Sequence, residues 1–180
     1  YELYILNKDA KQIYDLIIDN GKDFGLTHCG AHTMDTMRME SGFLHWGHDI
    51  SPEENQYQAG LNFAISYKKP FDFIGKQKLL EIKNQKIDRR FVMLTLKDST
   101  PGKPLLLHEE PIYLDDKIIG KTTSGNYSFN YNKNLSFGYI NSELTNEQLI
   151  DKNLFIEIEK IKYKAQLLLK PLKQGNFKKI

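Results

Sequence analysis

We expect the chain to fold around the segment Met34-Asp-Thr-Met-Arg38-Met-Glu-Ser-Gly42-Phe-Leu-His45-Trp-Gly-His-Asp49-Ile-Ser-Pro52. It places Arg38 among three methionines, and two glycines then lead into a run with two histidines, a tryptophan and an aspartate. An arginine in an apolar wall is costly to bury unless an anionic or carbonyl-rich group contacts it. Glycine in turn allows the backbone to approach a ligand closely. The segment therefore predicts the wall of a small-molecule pocket.

Arg38 is the leading candidate for ligand binding, and the residues leave two roles open for it. In the first, its planar fork binds a carboxylate, phosphate or amide carbonyl of a ligand, at about 1.5–3 kcal/mol per charged hydrogen bond. In the second, it forms an ion pair with Asp49 or Asp35 that fixes the turn. The sequence alone favours neither.

The neighbouring residues offer weaker candidates. His45, His48 and Asp49 are of types that bind zinc or iron, but Gly47 interrupts the helix that would align the histidines, and no fourth ligand is near. We therefore expect no metal site. Trp46 either stacks on a flat ligand or is an ordinary core residue.

Two further polar features invite a functional interpretation. Glu2 lies in an alternating apolar segment, where its carboxylate either accepts paired N–H donors of a heterocycle or faces solvent. The hydroxyl-rich run Thr122–Ser128 suggests a nucleophile, but no histidine or aspartate lies at a recognisable triad spacing, so we expect a strand followed by a polar turn.

The overall composition restricts the function class. The chain has 180 residues, a net charge of +2 and no long basic block, which argues against nucleic-acid binding. No window of about eighteen apolar residues predicts a membrane span. One cysteine, Cys29, and no signal peptide favour the cytoplasm. Because the chain starts in what looks like a strand, without methionine, we expect a portion of a longer polypeptide.

Hydrophobic periodicity predicts an α+β region followed by a β barrel, with the boundary near Ile87. In the first region we expect strands at 1–6 and 61–67 and helices at about 8–20, 31–39 and 75–84. In the second, short antiparallel strands suggest a small barrel or sandwich. They are predicted at 91–96, 112–114, 118–123, 135–140, 154–158 and 161–169.

Several separated motifs resemble one family. The first group resembles the folate-binding region of the aminomethyltransferase (glycine cleavage T-protein) superfamily, with a closer likeness to the C-terminal half of dimethylglycine and sarcosine dehydrogenases. It comprises Asp35-Thr-Met-Arg-Met-Glu40, His45-Trp-Gly-His-Asp-Ile50, Ala59-Gly-Leu61 and Asp72-Phe-Ile-Gly-Lys-Gln77. The second group, which resembles that family's C-terminal barrel, comprises Gly120-Lys-Thr-Thr-Ser-Gly-Asn-Tyr-Ser128 and Leu135-Ser-Phe-Gly-Tyr-Ile140.

The resemblance implies a partial T-protein-like folate-binding domain over residues 1–87 and a C-terminal β-barrel domain over residues 88–180. It implies tetrahydrofolate as ligand and a small N-methyl amine as substrate, oxidised by a separate upstream FAD domain. The folate would then capture the one-carbon unit as methylene-tetrahydrofolate. By likeness, Glu2 hydrogen-bonds the pterin edge, Arg38 lines the folate site and Trp46 lies beside the ligand.

The resemblance also sets a limit and leaves alternatives. The family's aspartate that assists attack on the one-carbon unit, and the flavin fingerprint, are absent from these residues. We therefore expect the chain to be catalytically incomplete and unable to turn over a methylamine alone. The alternatives are a T-protein-type aminomethyltransferase, which takes its carbon from a carrier protein, and a non-catalytic folate-binding module.

Overall fold

The computed structural model describes residues 2–173 and divides the chain into two compact units after Met34. Single 3₁₀ turns lie at Asn7–Asp9, Lys22–Phe24 and Asn62–Ala64. The helices are α1 (Ala10–Gly21), α2 (Ala31–Glu40), α3 (Lys76–Ile82) and α4 (Asn146–Leu149). The strands are β1 (Arg90–Leu96), β2 (Pro111–Leu114), β3 (Lys117–Ser128), β4 (Lys133–Ile140), β5 (Leu154–Ile158) and β6 (Ile161–Leu168). Within residues 2–173, no helix has the length and apolarity to cross a membrane.

The first unit is built around α1, as the period of its apolar residues predicts. Gly21 is its last residue, and no residue of the helix is fully buried. The predicted strand at 1–6 is wrong for the described residues 2–6, which are exposed and form no strand, while Tyr1 lies outside the description. An extended segment becomes a strand only when a neighbour pairs with its backbone, and none of the described residues does so.

The second unit contains a closed barrel of six antiparallel strands, in the order β1-β4-β3-β2-β5-β6. Strand β1 pairs with β6, for example Leu94 with Leu167, and this pairing closes the sheet into a barrel. Closure leaves no strand edge with unpaired backbone groups. The predicted antiparallel barrel is confirmed.

Alternation of side chains fills the barrel. Along β5, Leu154, Ile156 and Ile158 are buried, while the residues between them are partly exposed. This two-residue period directs every second side chain to the interior. The resulting core comprises Val92, Leu94, Leu96, Leu106, Ile112, Ile119, Ile140, Leu149, Leu154, Ile156, Ile158, Ala165 and Leu167.

A second, smaller apolar cluster lies on strands β1 and β4 and includes a residue of α2. Met39 packs with Leu135 and Phe137, and Phe91 and Met93 pack against them. Every residue of β4 after its first is buried, because both faces of that strand are covered. The end of α2 is thereby fixed against the outer wall of the barrel.

Two local features differ from the sequence-based expectation, one before the first barrel strand and one between β4 and β5. The predicted strand at 61–67 is wrong: Ala64 and Ile65 donate to the carbonyls of Leu61 and Asn62, so the backbone forms a 3₁₀ turn instead. Helix α4 was not predicted, although Thr145 and Gln148 form a reciprocal capping box that the sequence contains.

Candidate functional site

The site begins just after the end of α2, at Gly42. Phe43 N–H donates to the Arg38 carbonyl at 2.9 Å, and Gly42 N–H donates to the Met39 carbonyl at 3.1 Å. This is the Schellman arrangement, which requires a left-handed residue after the helix. Gly42 supplies it with φ +76°. The chain therefore reverses at the position where the sequence predicts the helix to stop.

Arg38 lies at this helix end and is largely buried, with 14% of its side chain exposed. Its Nε donates to Asp35 Oδ1 at 2.9 Å. Its Nη1 donates to Asp49 Oδ2 at 2.7 Å and to the Phe43 carbonyl at 3.2 Å. Its Nη2 donates to Ser124 Oγ at 2.9 Å. Among the described residues, these contacts use four of the five guanidinium N–H groups and leave one on Nη2.

Asp49 is the centre of the network, with no side-chain exposure. Oδ2 accepts from Arg38 and, at 2.8 Å, from the backbone N–H of His45. Oδ1 accepts from Thr123 Oγ1 at 2.5 Å and from Ser124 Oγ at 2.8 Å. A carboxylate has about four acceptor positions. This buried charge is therefore both paired and fully hydrogen-bonded.

An irregularity in β3 makes this arrangement possible. Neighbouring residues of a strand normally face opposite sides of the sheet, yet Thr123 and Ser124 both contact the same carboxylate oxygen. The pairing of β3 with β4 shifts register between Thr122 and Ser124, which marks a β-bulge. A bulge inserts one residue and redirects side chains, often beside functional sites. Thr122 instead bonds Glu110.

Asp49 belongs to the tight loop at residues 45–50. Asp49 N–H donates to the His45 carbonyl at 2.8 Å, and Gly47, with φ +88°, donates to the Ile50 carbonyl at 2.8 Å. Trp46 is 65% exposed on this tight turn. The His45 and His48 rings lie 4.6 Å apart between centroids. The loop therefore exposes the indole of Trp46, whereas the side chain of Asp49 in the same loop is buried.

A second polar cluster lies around Tyr139, which is 2% exposed. Arg89 stacks 4.3 Å from the Tyr139 ring centroid and pairs with Glu54 at 2.9 Å. The Tyr139 hydroxyl has no hydrogen-bond partner among the described residues. Burial, followed by the negative charges of Glu54 and Asp49, raises its pKa well above the usual range, against the opposing effect of Arg89.

Glu54 itself is held in its charged form. Burial, the largest single influence, favours the neutral acid, but hydrogen bonds from the Ser51 hydroxyl and backbone together with Arg89 outweigh it, so the pKa of Glu54 is lowered. The two Ser51 bonds measure 2.7 and 2.9 Å. Ser51 Oγ also accepts from the backbone N–H of Glu53 at 3.1 Å.

The structure places the three predicted site residues differently. Arg38 faces inward and forms both of the ion pairs that the sequence left as its alternative role. Trp46 is exposed on its loop. Glu2 is exposed in the first unit. No group of three potential metal ligands among His, Cys, Asp and Glu is found in residues 2–173.

Sequence reasoning missed two members of the network, Thr123 and Ser124. Their hydroxyl-rich run was predicted to be a strand that ends at residue 123 and is followed by a polar turn; the strand is correct, but the turn is wrong, because β3 continues to Ser128. The signal that could have identified them is the pair of adjacent polar residues in a barrel strand, since strict alternation would direct one of them into an apolar core.

Comparison with known proteins adds to this geometry. Residues 1–69 match the GCVT N-terminal domain, and residues 89–173 match the glycine cleavage T-protein C-terminal barrel domain. The solved aminomethyltransferase T of the glycine cleavage system from Bartonella henselae has a similar fold, with a TM-score of 0.64 and 21% identity. That similarity covers 77% of this chain and 37% of the other.

Two curated relatives are enzymes of amine metabolism. Human mitochondrial dimethylglycine dehydrogenase is 34% identical over 174 residues, which is 96% of this chain and 19% of that protein. The 4-methylaminobutanoate oxidase (formaldehyde-forming) of Paenarthrobacter nicotinovorans is 40% identical over 127 residues, which is 71% of this chain and 15% of that protein. The chain thus spans less than a fifth of the length of these relatives.

Proposed function

The chain belongs to the glycine cleavage T-protein family, and from this membership we propose that it forms the tetrahydrofolate-binding part of an N-demethylating amine dehydrogenase of the dimethylglycine or sarcosine type. The observation that carries the proposal is that a single similarity to human dimethylglycine dehydrogenase extends over 96% of the chain. It includes residues on both sides of the predicted boundary at Ile87.

The proposed binding residues have the chemistry to suit a reduced pterin. Trp46 offers a flat apolar face, on which a heterocycle can stack. Arg38 retains one N–H on Nη2 for a carbonyl or carboxylate of the ligand. In the first unit, taken by itself, the exposed carboxylate of Glu2 can accept N–H donors of the kind that a pterin edge carries. Bound tetrahydrofolate would supply the nucleophile that takes up a one-carbon unit as methylene-tetrahydrofolate.

The remaining parts of the proposal concern the whole protein. We assign residues 1–87 to a partial folate-binding domain and residues 88–180 to the barrel domain. A separate upstream domain would hold FAD and oxidise a small N-methyl amine in the cytoplasm. A folate site beside such a domain raises the effective concentration of the nucleophile and limits escape of free aldehyde.

A second candidate is a T-protein-type aminomethyltransferase. The observation that favours it is that the matched C-terminal barrel domain is named for the glycine cleavage T-protein. The two candidates differ in their carbon source. In an assay of the protein that carries this chain, folate-dependent oxidation of dimethylglycine or sarcosine supports the dehydrogenase. Transfer from a lipoyl-bound aminomethyl group supports the transferase.

Calorimetric titration of the whole protein that carries this chain with tetrahydrofolate under anaerobic conditions tests the binding proposal. We expect saturable binding by the wild type and binding about tenfold weaker in Trp46→Ala, the loss of about one aromatic stacking contact. Phe71→Ala is the matched control, because Phe71 is 63% exposed and lies outside the 45–50 loop. No binding by the wild type would overturn the proposal. Equal losses in both variants would overturn the assignment of Trp46. Binding without one-carbon transfer by the whole protein would support a non-catalytic module.

A further inference from the structure

We infer that Thr123 and Ser124 are positioning residues of the ligand site: through Asp49 they hold the 45–50 loop in the conformation that presents Trp46. The identity of the ligand in this inference rests on the proposed function. The inference gives the barrel a part in binding, because both hydroxyls belong to barrel strand β3. The loop itself lies 74 residues earlier in the chain.

The first step is the contact between the bulge and Asp49. Oδ1 of Asp49 accepts only from the two hydroxyls of Thr123 and Ser124 among the bonds found in the described residues. Without the bulge, one of these side chains would face the opposite side of β3. The orientation of the Asp49 carboxylate is therefore set from the barrel side by a feature of strand register.

The second step is that Asp49 also bonds His45, at the start of the same loop. Oδ2 accepts the His45 N–H, and the Asp49 N–H returns to the His45 carbonyl, both at 2.8 Å. Asp49 therefore forms two hydrogen bonds with His45, the residue that precedes Trp46, one through its carboxylate and one through its backbone N–H. A rotation of this carboxylate would break the bond to His45 N–H and release the first residue of the turn.

The third step is that Ser124 also holds the arginine. Its Oγ accepts from Arg38 Nη2 at 2.9 Å while it donates to Asp49 at 2.8 Å. It thus fixes the guanidinium and the carboxylate together. In the part of the chain that the structure describes, the Thr123 hydroxyl bonds Asp49 alone, so its substitution tests the carboxylate without removing a bond of Arg38.

Trp46 is the only tryptophan of the chain, and its fluorescence reports on the loop directly. Because the indole is already 65% exposed, steady-state anisotropy is more informative than the emission wavelength. We expect Thr123→Val and Ser124→Ala to lower the anisotropy of Trp46 in the free chain. The same variants should bind tetrahydrofolate about tenfold more weakly, and Thr123→Ser, which keeps a hydroxyl, should restore both values.

Thr122→Val is the matched control. Thr122 is a fully buried neighbour on β3 whose hydroxyl bonds Glu110 rather than Asp49. Loss of the Thr122 hydroxyl should lower the stability of the barrel about as much as loss of the Thr123 hydroxyl does. It should leave the anisotropy of Trp46 and the affinity for tetrahydrofolate unchanged. Far-ultraviolet circular dichroism confirms that each variant is folded. Where Thr123→Val does not fold, Ser124→Ala and the Thr123→Ser comparison carry the test.

Each outcome decides the matter. Lower anisotropy with weaker binding in the Thr123 and Ser124 variants, and neither in Thr122→Val, supports the inference. Unchanged anisotropy, or equal changes in Thr122→Val, overturns it while the wild type still binds tetrahydrofolate. Lower anisotropy without weaker binding overturns the link from loop to ligand. A wild type that does not bind overturns the proposed function itself and with it the ligand that the inference names.

Discussion

Arg38 and Asp49 form a nearly buried ion pair, with Nη1 of the arginine 2.7 Å from Oδ2 of the aspartate. Only 14% of the arginine side chain and none of the aspartate side chain is exposed. Removing two charges from water is costly, and their attraction offsets that cost only when further hydrogen bonds satisfy the remaining donors and acceptors. Here Ser124, Thr123 and backbone groups supply those bonds. The pair therefore fixes the geometry of the site more than it adds to net stability.

We expect Arg38→Met to lower the free energy of unfolding by about 3 kcal/mol or more, because it leaves the Asp49 charge buried and unpaired. The double variant with Asp49→Leu should cost less than the sum of the two single changes. Urea denaturation of the four proteins gives the coupling energy. Lys11→Met on α1 is the control, since its pair with Asp15 is exposed and should contribute less than about 1 kcal/mol. Additive effects of the Arg38 and Asp49 changes would contradict the prediction.

The barrel strands could be predicted from sequence because the pattern that marks them lies within a short stretch of the chain. Leu154, Ile156 and Ile158 alternate with partly exposed residues, and this alternation is visible without knowledge of any partner. The segment at 2–6 was also predicted to be a strand from its sequence pattern, yet its described residues are exposed and form no strand. Whether a period of two becomes a strand depends on a pairing neighbour, which one segment does not specify.

The site was only partly predictable, for a similar reason. Arg38, Trp46 and Asp49 lie in one short segment, and the alternative roles of Arg38 could be stated from that segment alone. The partners Thr123 and Ser124 belong to β3, where a bulge determines which way they face. A bulge is a property of the register between two strands. Adjacent polar residues within one strand point to it, but the direction in which each side chain faces is set by the pairing with the partner strand.

Glu54 should make stability depend on pH in the acid range. Its folded pKa lies below the ordinary value of 4.5, so the unfolded chain binds the proton more tightly than the folded chain. The stability that this carboxylate contributes is therefore present above the ordinary pKa and is lost as the pH falls through the lowered pKa. Urea midpoints measured across this range should fall less steeply in Glu54→Gln than in the wild type.

Glu53→Gln is the matched control for Glu54, because the neighbouring carboxylate is exposed. We expect its urea midpoints to follow those of the wild type at every pH. An acid dependence that is identical in Glu54→Gln and the wild type would show that the bonds from Ser51 and Arg89 do not stabilise the charged form.

Tyr139→Phe should raise stability. The hydroxyl of Tyr139 is buried without a partner among the described residues, and such a group costs about 1–3 kcal/mol. Phenylalanine keeps the ring that contacts Arg89 and Phe91. We therefore expect a gain of about 1 kcal/mol in the free energy of unfolding, measured by urea denaturation.

Tyr113→Phe provides the opposite case in the same barrel. The Tyr113 hydroxyl donates to Glu157 at 2.9 Å, so its removal should lower stability. A loss of stability in both variants would mean that the Tyr139 hydroxyl has a partner, such as a buried water molecule.

Two glycines of the site segment, Gly42 and Gly47, allow the cost of backbone strain to be distinguished from the cost of a packing clash. Gly42 and Gly47 both have left-handed φ angles, +76° and +88°, which cost a non-glycine residue about 1–2 kcal/mol. A Cβ at Gly47 would meet nothing within 4 Å, whereas a Cβ at Gly42 would lie 2.5 Å from Pro171 Cγ. Gly42→Ala should therefore destabilise the chain more than Gly47→Ala, since it must also displace Pro171. Urea denaturation of the two variants measures the difference, and equal losses would show that Pro171 moves without cost and does not help to hold the end of α2.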